Sequence, residues 1–435
     1  MRLLFICLMG MSSVLAEDIR KLTILHSNDL HARISPDTNH RGGFAYLATL
    51  VRKERAGCDH CLYLNAGDLV QGTPVSTIFR GEPVYKIGNL LKFDASTIGN
   101  HEFDYGWQQT QKFLRMAKYP VVSGNIVDQN GKLLAKKPYV IKKVNGLRVA
   151  IIGSVMSDLE AFLKPKDLGP WHSTSSLDAA AKYAQELRDK VDVVIILGHI
   201  KQNEGSAIIR QVPQVNVVVE GHVHTGRKEL EVVDGRVAVG CAGYGVDLCR
   251  LDLEVDKSTK KLVSWKWTKL AVDANTIAAA PDVEKLVSKW EKRVSAKVDR
   301  VIGEAKRDFE KRDLVPMIEK ATLDEMHADF TLMNAGGVRD RLVKGQILER
   351  AIWNIIPFDN VMMTATLKGS EIPDAIRKGK SVEPDKEYLL ALSDFLATNP
   401  VSLEQLGLKT VKFRETDVLF RDMFIQWVKN KKVLE

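Results

Sequence analysis

Val191-Asp192-Val193-Val194-Ile195-Ile196-Leu197-Gly198-His199 is an almost unbroken apolar run that closes on a glycine and a histidine. Such a run reads as a strand covered on both faces, the kind that helices flank in a layered α/β sheet. Working outward, a helix is expected before it over 177–190, and a second run of the same type over 215–219 closes on Gly221-His222-Val223-His224. Toward the N-terminus, strands are expected over 22–25, 62–64, 95–98 and 120–122. Helices are expected over 44–55 and between the last two strands. Asn145-Gly146, between 139–144 and 147–152, is a strong hairpin signal, and Asp234-Gly235, between 229–233 and 236–239, is another. The mixture implies layered α/β structure with some antiparallel pairing.

The chemistry is carried by five short motifs in order, each just after an expected strand: Asp29-Leu30-His31, Gly67-Asp68, Gly99-Asn100-His101-Glu102, Gly198-His199 and Gly221-His222-Val223-His224. Strand ends are where α/β sheets build their sites. Carboxylate, imidazole and amide oxygen together suit a pair of first-row divalent ions. The glycines let the backbone turn sharply beside the ligands. Taken singly, a Gly-Asp or a Gly-His is only a turn or a surface residue; the ordered set is what points to a metal site.

This set resembles the signature of the calcineurin-like metallophosphoesterases, and its flanks are similar to the 5'-nucleotidase family. The matching segments are 24–31, Arg41-Gly42-Gly43-Phe44, 65–73, and Gly99-Asn100-His101-Glu102-Phe103-Asp104. The resemblance implies a four-layer αββα metallophosphoesterase domain over 17–272, a linking helix over 273–302 and a smaller α/β substrate-binding domain over 303–435. It also implies two divalent metal ions, manganese, zinc or similar. Asp29, His31, Asp68 and His224 would hold one; Asp68, Asn100, His199 and His222 would hold the other. Asp68 would bridge, offsetting the repulsion of two dications about 3.5–4 Å apart. His101, paired with Asp104, would assist the phosphate or the leaving oxygen. The bland reading of Asp104 is a helix N-cap. Glu102 is given no direct catalytic role and reads as a carboxylate that either supports the ligands from behind or faces solvent, and His26, His40, His60, His172 and His327 fit no ligand pattern.

From 281 to 302, Val283, Leu286, Val287, Trp290, Val294, Val298 and Val301 recur at helical spacing, with Asp282 as an expected N-cap and Gly303 as an expected stop. Beyond this helix, Asn334-Ala335-Gly336-Gly337-Val338-Arg339 resembles the family's nucleotide-contacting segment, so Asn334 and Arg339 would touch base and phosphate. Phe358 and Phe395 resemble the pair that sandwiches a planar base, although either could be an ordinary core residue. Arg312 matches a further phosphate-binding arginine only loosely. Two departures stand out. Pro316-Met317-Ile318 replaces the family's helix start, and Thr398-Asn399-Pro400-Val401 replaces the loop whose aspartate holds the ribose.

The remaining features bound the setting. The chain has 435 residues, 45% hydrophobic and 27% charged, enough for two or three domains. Its formal charge of +8 is spread along the chain without basic-aromatic clusters, which suits an anionic small substrate and not a nucleic acid. Residues 1–16 read as a signal peptide, too short to span a bilayer stably. The expectation is therefore an exported protein, periplasmic or secreted, without stable membrane insertion, and monomeric or homodimeric. In an oxidising compartment Cys58, Cys61, Cys241 and Cys249 are expected to form disulfides. The local pairs are favoured over the other connectivities, and a four-cysteine zinc site is the alternative. The expected activity is hydrolysis of nucleoside 5'-phosphates by metal-activated water. Hydrolysis of cyclic nucleotides, nucleotide sugars or other small esters is the nearest alternative; a thiosulfohydrolase-like enzyme and a non-catalytic nucleotide-binding protein are further ones.

Overall fold

The computed structural model describes residues 18–435; the expected signal peptide lies outside them. Two sheets stack face to face in the first part of the chain. One runs Lys261–Ala271, Asp247–Asp256, Ile19–Ser27, Cys61–Asn65, Ala95–Ser96; the other runs Glu231–Val233, Arg236–Gly240, Val217–Glu220, Val193–His199, Leu147–Val155, Tyr139–Val144. Alternation along each strand decides what they share. Leu22, Ile24, Leu62 and Leu64 of the first sheet meet Val149, Ile151, Val193, Ile195 and Leu197 of the second in one dry core. Each such side chain contributes about 1.5–3 kcal/mol of burial. The opposite faces are covered by helices. Phe44–Ala56 and Pro281–Val298 pack on the first sheet, and Ser176–Leu187 and Gln202–Gln211 on the second. The result is four layers, αββα, as the resemblance implied.

The strand Val193–His199 lies parallel to Leu147–Val155 on one side and Val217–Glu220 on the other, the buried central position its apolar run required. Both hairpins form at Asn145-Gly146 and Asp234-Gly235, whose residues all take positive φ. Four expectations need correction. The expected strand at 95–98 is only two residues long, and 120–122 contributes isolated bridges, because Pro120 cannot donate to a ladder. The N-cap of Pro281–Val298 is Ala280, with Asp282 inside the first turn, where its charge favours the helix dipole. The helix ends at Val298, and Gly303 sits within the strand Val301–Ala305.

Pro281–Val298 turns its apolar stripe, Val283, Val287, Trp290, Val294 and Val298, into the core of the first part of the chain. After it come a three-stranded sheet (Gly345–Leu348, Val301–Ala305, Val433–Leu434) and a four-stranded sheet (Phe330–Thr331, Glu387–Ser393, Val361–Lys368, Arg414–Leu419). Each has its own core. Both local disulfides form, Cys58–Cys61 and Cys241–Cys249. Among the described residues no helix is long and apolar enough to cross a membrane.

Candidate metal centre

The five motifs converge at the C-terminal ends of strands from both sheets. Asp29, His31, Asp68 and His224 bring one ligand atom each within 4.8 Å of one another. Beside them, His199 Nε2 lies 3.2 Å from Asp68 Oδ2 and 3.1 Å from Asn100 Oδ1, and the His222 ring sits 5.2 Å from that of His199. All seven residues expected to bind metal therefore gather in one place, with Asp68 between the two groups.

The backbone accepts strain to do this. Asp29, His31, Asp68 and His222 all have positive φ, from 46° to 74°, a region that costs a non-glycine residue energy and persists only where the surroundings fix it. Crossed hydrogen bonds do the fixing: Asp29 N–H donates to Gly67 O, and His31 N–H to Asp68 O. Gly99 is required by close approach, since a Cβ there would lie 2.1 Å from Asp68 Oδ1.

Of the two places open to Glu102, the structure gives it the one behind the ligands. Wholly buried, it accepts the backbone N–H groups of Asp68, Leu69 and Gly99. One carboxylate thus ties the Gly67-Asp68 turn to the Gly99-Asn100 turn. Its place two residues after a ligand was the available signal. His26, expected to be structural, is buried under the Trp267 indole.

The donor set fits a cation. His199 Nδ1–H donates to Ala66 O, which leaves Nε2 bare. That lone pair, the Asp68 carboxylate and the Asn100 carbonyl then face one another as three acceptors with no donor among them. Asp68 Oδ2 is fully buried without a hydrogen bond, a costly arrangement unless a positive charge enters. Burial opposes charge on His199, but Asp68 outweighs it and drives the imidazole up to about 9. Asp68 feels the reverse: burial pushes it up, and the imidazoles of His199, His101 and His31 hold it well below the usual carboxylate range. Burial lowers His222 to about 3 and His224 to about 2, so both rings offer neutral lone pairs.

His101 Nδ1 and Asp104 Oδ2 are 2.7 Å apart. Burial disfavours the imidazolium, but Asp104 and Asp68 outweigh it and raise the pKa. Asp104 caps the end of the short turn 101–103 and is not a helix N-cap.

These groups open into a cavity of about 710 Å³ between the two parts of the chain, whose walls include Asn100, His101, His222, His224, Asn334, Arg339, Phe358 and Phe395. The Phe358 ring stacks 5.8 Å from His101, and Arg339 Nη2 lies 3.3 Å from His31 Nε2. Arg312 is placed elsewhere. It lines a neighbouring cavity of about 640 Å³, with Arg339 shared between the two.

Comparison with known proteins bears on the family and the fold. Residues 22–226 match the calcineurin-like phosphoesterase model and residues 294–379 the 5'-nucleotidase C-terminal domain. The chain is 27% identical to a 5'-nucleotidase of Vibrio cholerae over 82% of its own length and 75% of that protein. It is also 27% identical to the endonuclease YhcR of Bacillus subtilis, matching 87% of this chain while spanning only 37% of that relative's length. A solved 5'-nucleotidase precursor from Thermus thermophilus shares the fold, with a TM-score of 0.86, 24% identity, and 95% and 97% of the two chains covered.

Proposed function

Because the chain belongs to the calcineurin-like metallophosphoesterases of the 5'-nucleotidase type, and is a metal-dependent phosphoester hydrolase, we propose that it releases phosphate from nucleoside 5'-phosphates outside the cytoplasm. The observation that carries the reading is the single cavity that joins the acidic and imidazole cluster to Arg339 and two phenylalanines. We assign the catalytic domain to residues 17–272, the link to 273–302 and the substrate-binding domain to 303–435. Export rests on the signal-like residues 1–16 and fits the two disulfides.

Asp29, His31, Asp68 and His224 would hold one divalent ion, and Asp68, Asn100, His199 and His222 a second. Bound there, such ions supply positive charge to phosphoryl oxygens and bring the pKa of water down to about 7. The chain's own residues do the rest. Asp104 keeps the His101 proton on Nδ1 and favours the charged ring, which presents a cation to the phosphoryl group or its leaving oxygen. Arg339, a planar fork at the mouth of the cluster, holds phosphoryl oxygens. Phe358 and Phe395 clasp the base, with Asn334 beside them. Arg312 binds a phosphate only if the substrate reaches the neighbouring cavity.

That cavity supports a second reading. Lys311, Arg312, Arg339 and Arg341 among its walls suit an ester with a second anionic group, such as a nucleotide sugar.

Phosphate release from AMP, a cyclic nucleotide, a nucleotide sugar and an aryl phosphate, after chelation and reloading with manganese or zinc, tests both. Metal-dependent release mainly from AMP is expected. Release mainly from the nucleotide sugar would favour the second reading, and release from the aryl phosphate alone would discard both.

A further inference from the structure

The loop 221–230 carries His222 and His224, yet none of the hydrogen bonds within the ligand cluster accounts for how its two ends are held. One guanidinium does this. Arg227, only 6% exposed, donates through Nε and Nη2 to the two carboxylate oxygens of Glu220, at 2.6 and 2.7 Å. Its Nη1 reaches Glu231 Oε2 at 2.9 Å, and its Nη2 also reaches Ser206 Oγ and Gln202 O at 3.2 and 3.3 Å. Glu220 ends the strand before the loop and Glu231 begins the strand after it. Gln202 and Ser206 lie in the helix that follows His199. The backbone on either side of Arg227 is pinned too. Its N–H donates to Gly240 O, and its carbonyl accepts from Lys269 Nζ.

We propose that Arg227 is a positioning residue for the metal centre: its guanidinium sets the spacing between His199, His222 and His224 before any ion arrives. A bidentate arginine–carboxylate pair fixes orientation as well as distance. Nothing in the sequence marked Arg227, because its partners lie at separations of 4, 7, 21 and 25 residues. Residues that orient ligands commonly change metal affinity about 10–100-fold when altered. The inference rests on reading His222 and His224 as ligands.

Calorimetric titration of the folded, metal-free chain with manganese or zinc reads the affinity directly, and a thermal melt of the same sample reads stability. Arg227→Lys keeps the charge and loses the fork; a Glu220→Gln, Arg227→Met double variant removes both buried charges, a change such sites often tolerate. In both, a fall in metal affinity of about 10–100-fold is expected, with a melting temperature close to wild type for the double variant. Affinity unchanged within about threefold in a folded variant would overturn the proposal, since a merely structural role would lower stability alone. His222→Ala is the control: if it leaves metal binding intact, the ligand assignment has failed and not this inference. If no variant at 227 folds, amide hydrogen exchange on the wild type decides. The proposal requires loop 221–230 to be as protected without metal as with it, and protection that arises only on adding metal would overturn it.

Discussion

The two parts of the chain build their shares of one cavity by different means. In the first, four of the seven expected ligands, Asp29, His31, Asp68 and His222, sit at positive φ, cross-tied by backbone hydrogen bonds and by the Glu102 carboxylate. In the second, Asn334 has an ordinary extended backbone, and the positive-φ non-glycine residues His327, Lys378 and Lys432 merely end helices. Positive φ falls on the expected ligands in the first part and on helix ends, away from Asn334, in the second. The metal half should therefore break under small changes, and the substrate half should retune.

The largest effect is expected from Asp68→Ala, which removes the carboxylate common to both groups of ligands. Bound metal should be lost, and kcat/KM should fall by more than about 10³-fold, the scale of several kcal/mol of charge stabilisation. Full metal content with near-normal turnover would end the bridging assignment. If the imidazole acts on the substrate, as proposed, His101→Ala should keep its metal and lose about 10²–10⁴-fold in kcat. If metal content drops with kcat, His101 belongs to the ligand set instead.

Glu102→Gln sharpens the comparison within the metal half. Glutamine keeps one acceptor oxygen and sets an NH₂ against backbone N–H groups that Glu102 now accepts. Stability should fall by about 1–3 kcal/mol for each donor left bare, read from denaturant melts of the metal-free chain, and metal affinity should fall about 10–100-fold. A variant as stable as wild type would show that the two turns hold themselves.

Legibility follows the same division. The gathering of Asp29, His31, Asp68, Asn100, His199, His222 and His224 was legible because each lies at, or a few residues beyond, the C-terminal end of a strand. The hairpins were legible because Asn-Gly and Asp-Gly specify a turn locally. Glu102 was left open between supporting the ligands and facing solvent, and Arg227 was not marked at all, since what each does depends on how separate turns, strands and a helix come together. The boundary of Pro281–Val298 was misplaced because Gly303 was available as a stop, yet its strand pairs with Gly345–Leu348, and tertiary pairing overrode the local signal. In the second part, Phe358 and Phe395 line the cavity as expected, whereas Arg312 lines the neighbouring one; side chains on a wall carry no spacing rule.

The aromatic wall should respond more mildly than the ligands. Phe358→Ala and Phe395→Ala should each raise KM for a nucleotide about 10-fold, within the roughly 1–3 kcal/mol of stacking a base on a ring. Turnover of an aryl phosphate should change less. An equal loss on both substrates would mean that Phe358 supports His101, which its ring stacks against, and not a base.

The smallest effect should come from the seam between the halves. Asn399, fully buried, donates to the carbonyls of Glu160 and Leu163 and accepts from Ser402 N–H, while Lys164 pairs with Asp394 nearby at 3.1 Å. Arg33 with Asp340, and Thr77 with the Pro357 carbonyl, cross the same seam. Asn399 also stands in the segment 398–401 that departs from the expected ribose-binding loop, and that segment docks the two halves. With other ties in place, Asn399→Ala should cost about 1–3 kcal/mol in a melt from the bared carbonyls and change kcat/KM only a few-fold. If the halves must part for substrate to enter, that loosening should speed release and raise kcat while KM also rises. Crosslinking the seam should then slow turnover. Crosslinked enzyme with undiminished turnover would mean that the cavity works closed, and that the difference between the two halves lies in construction alone.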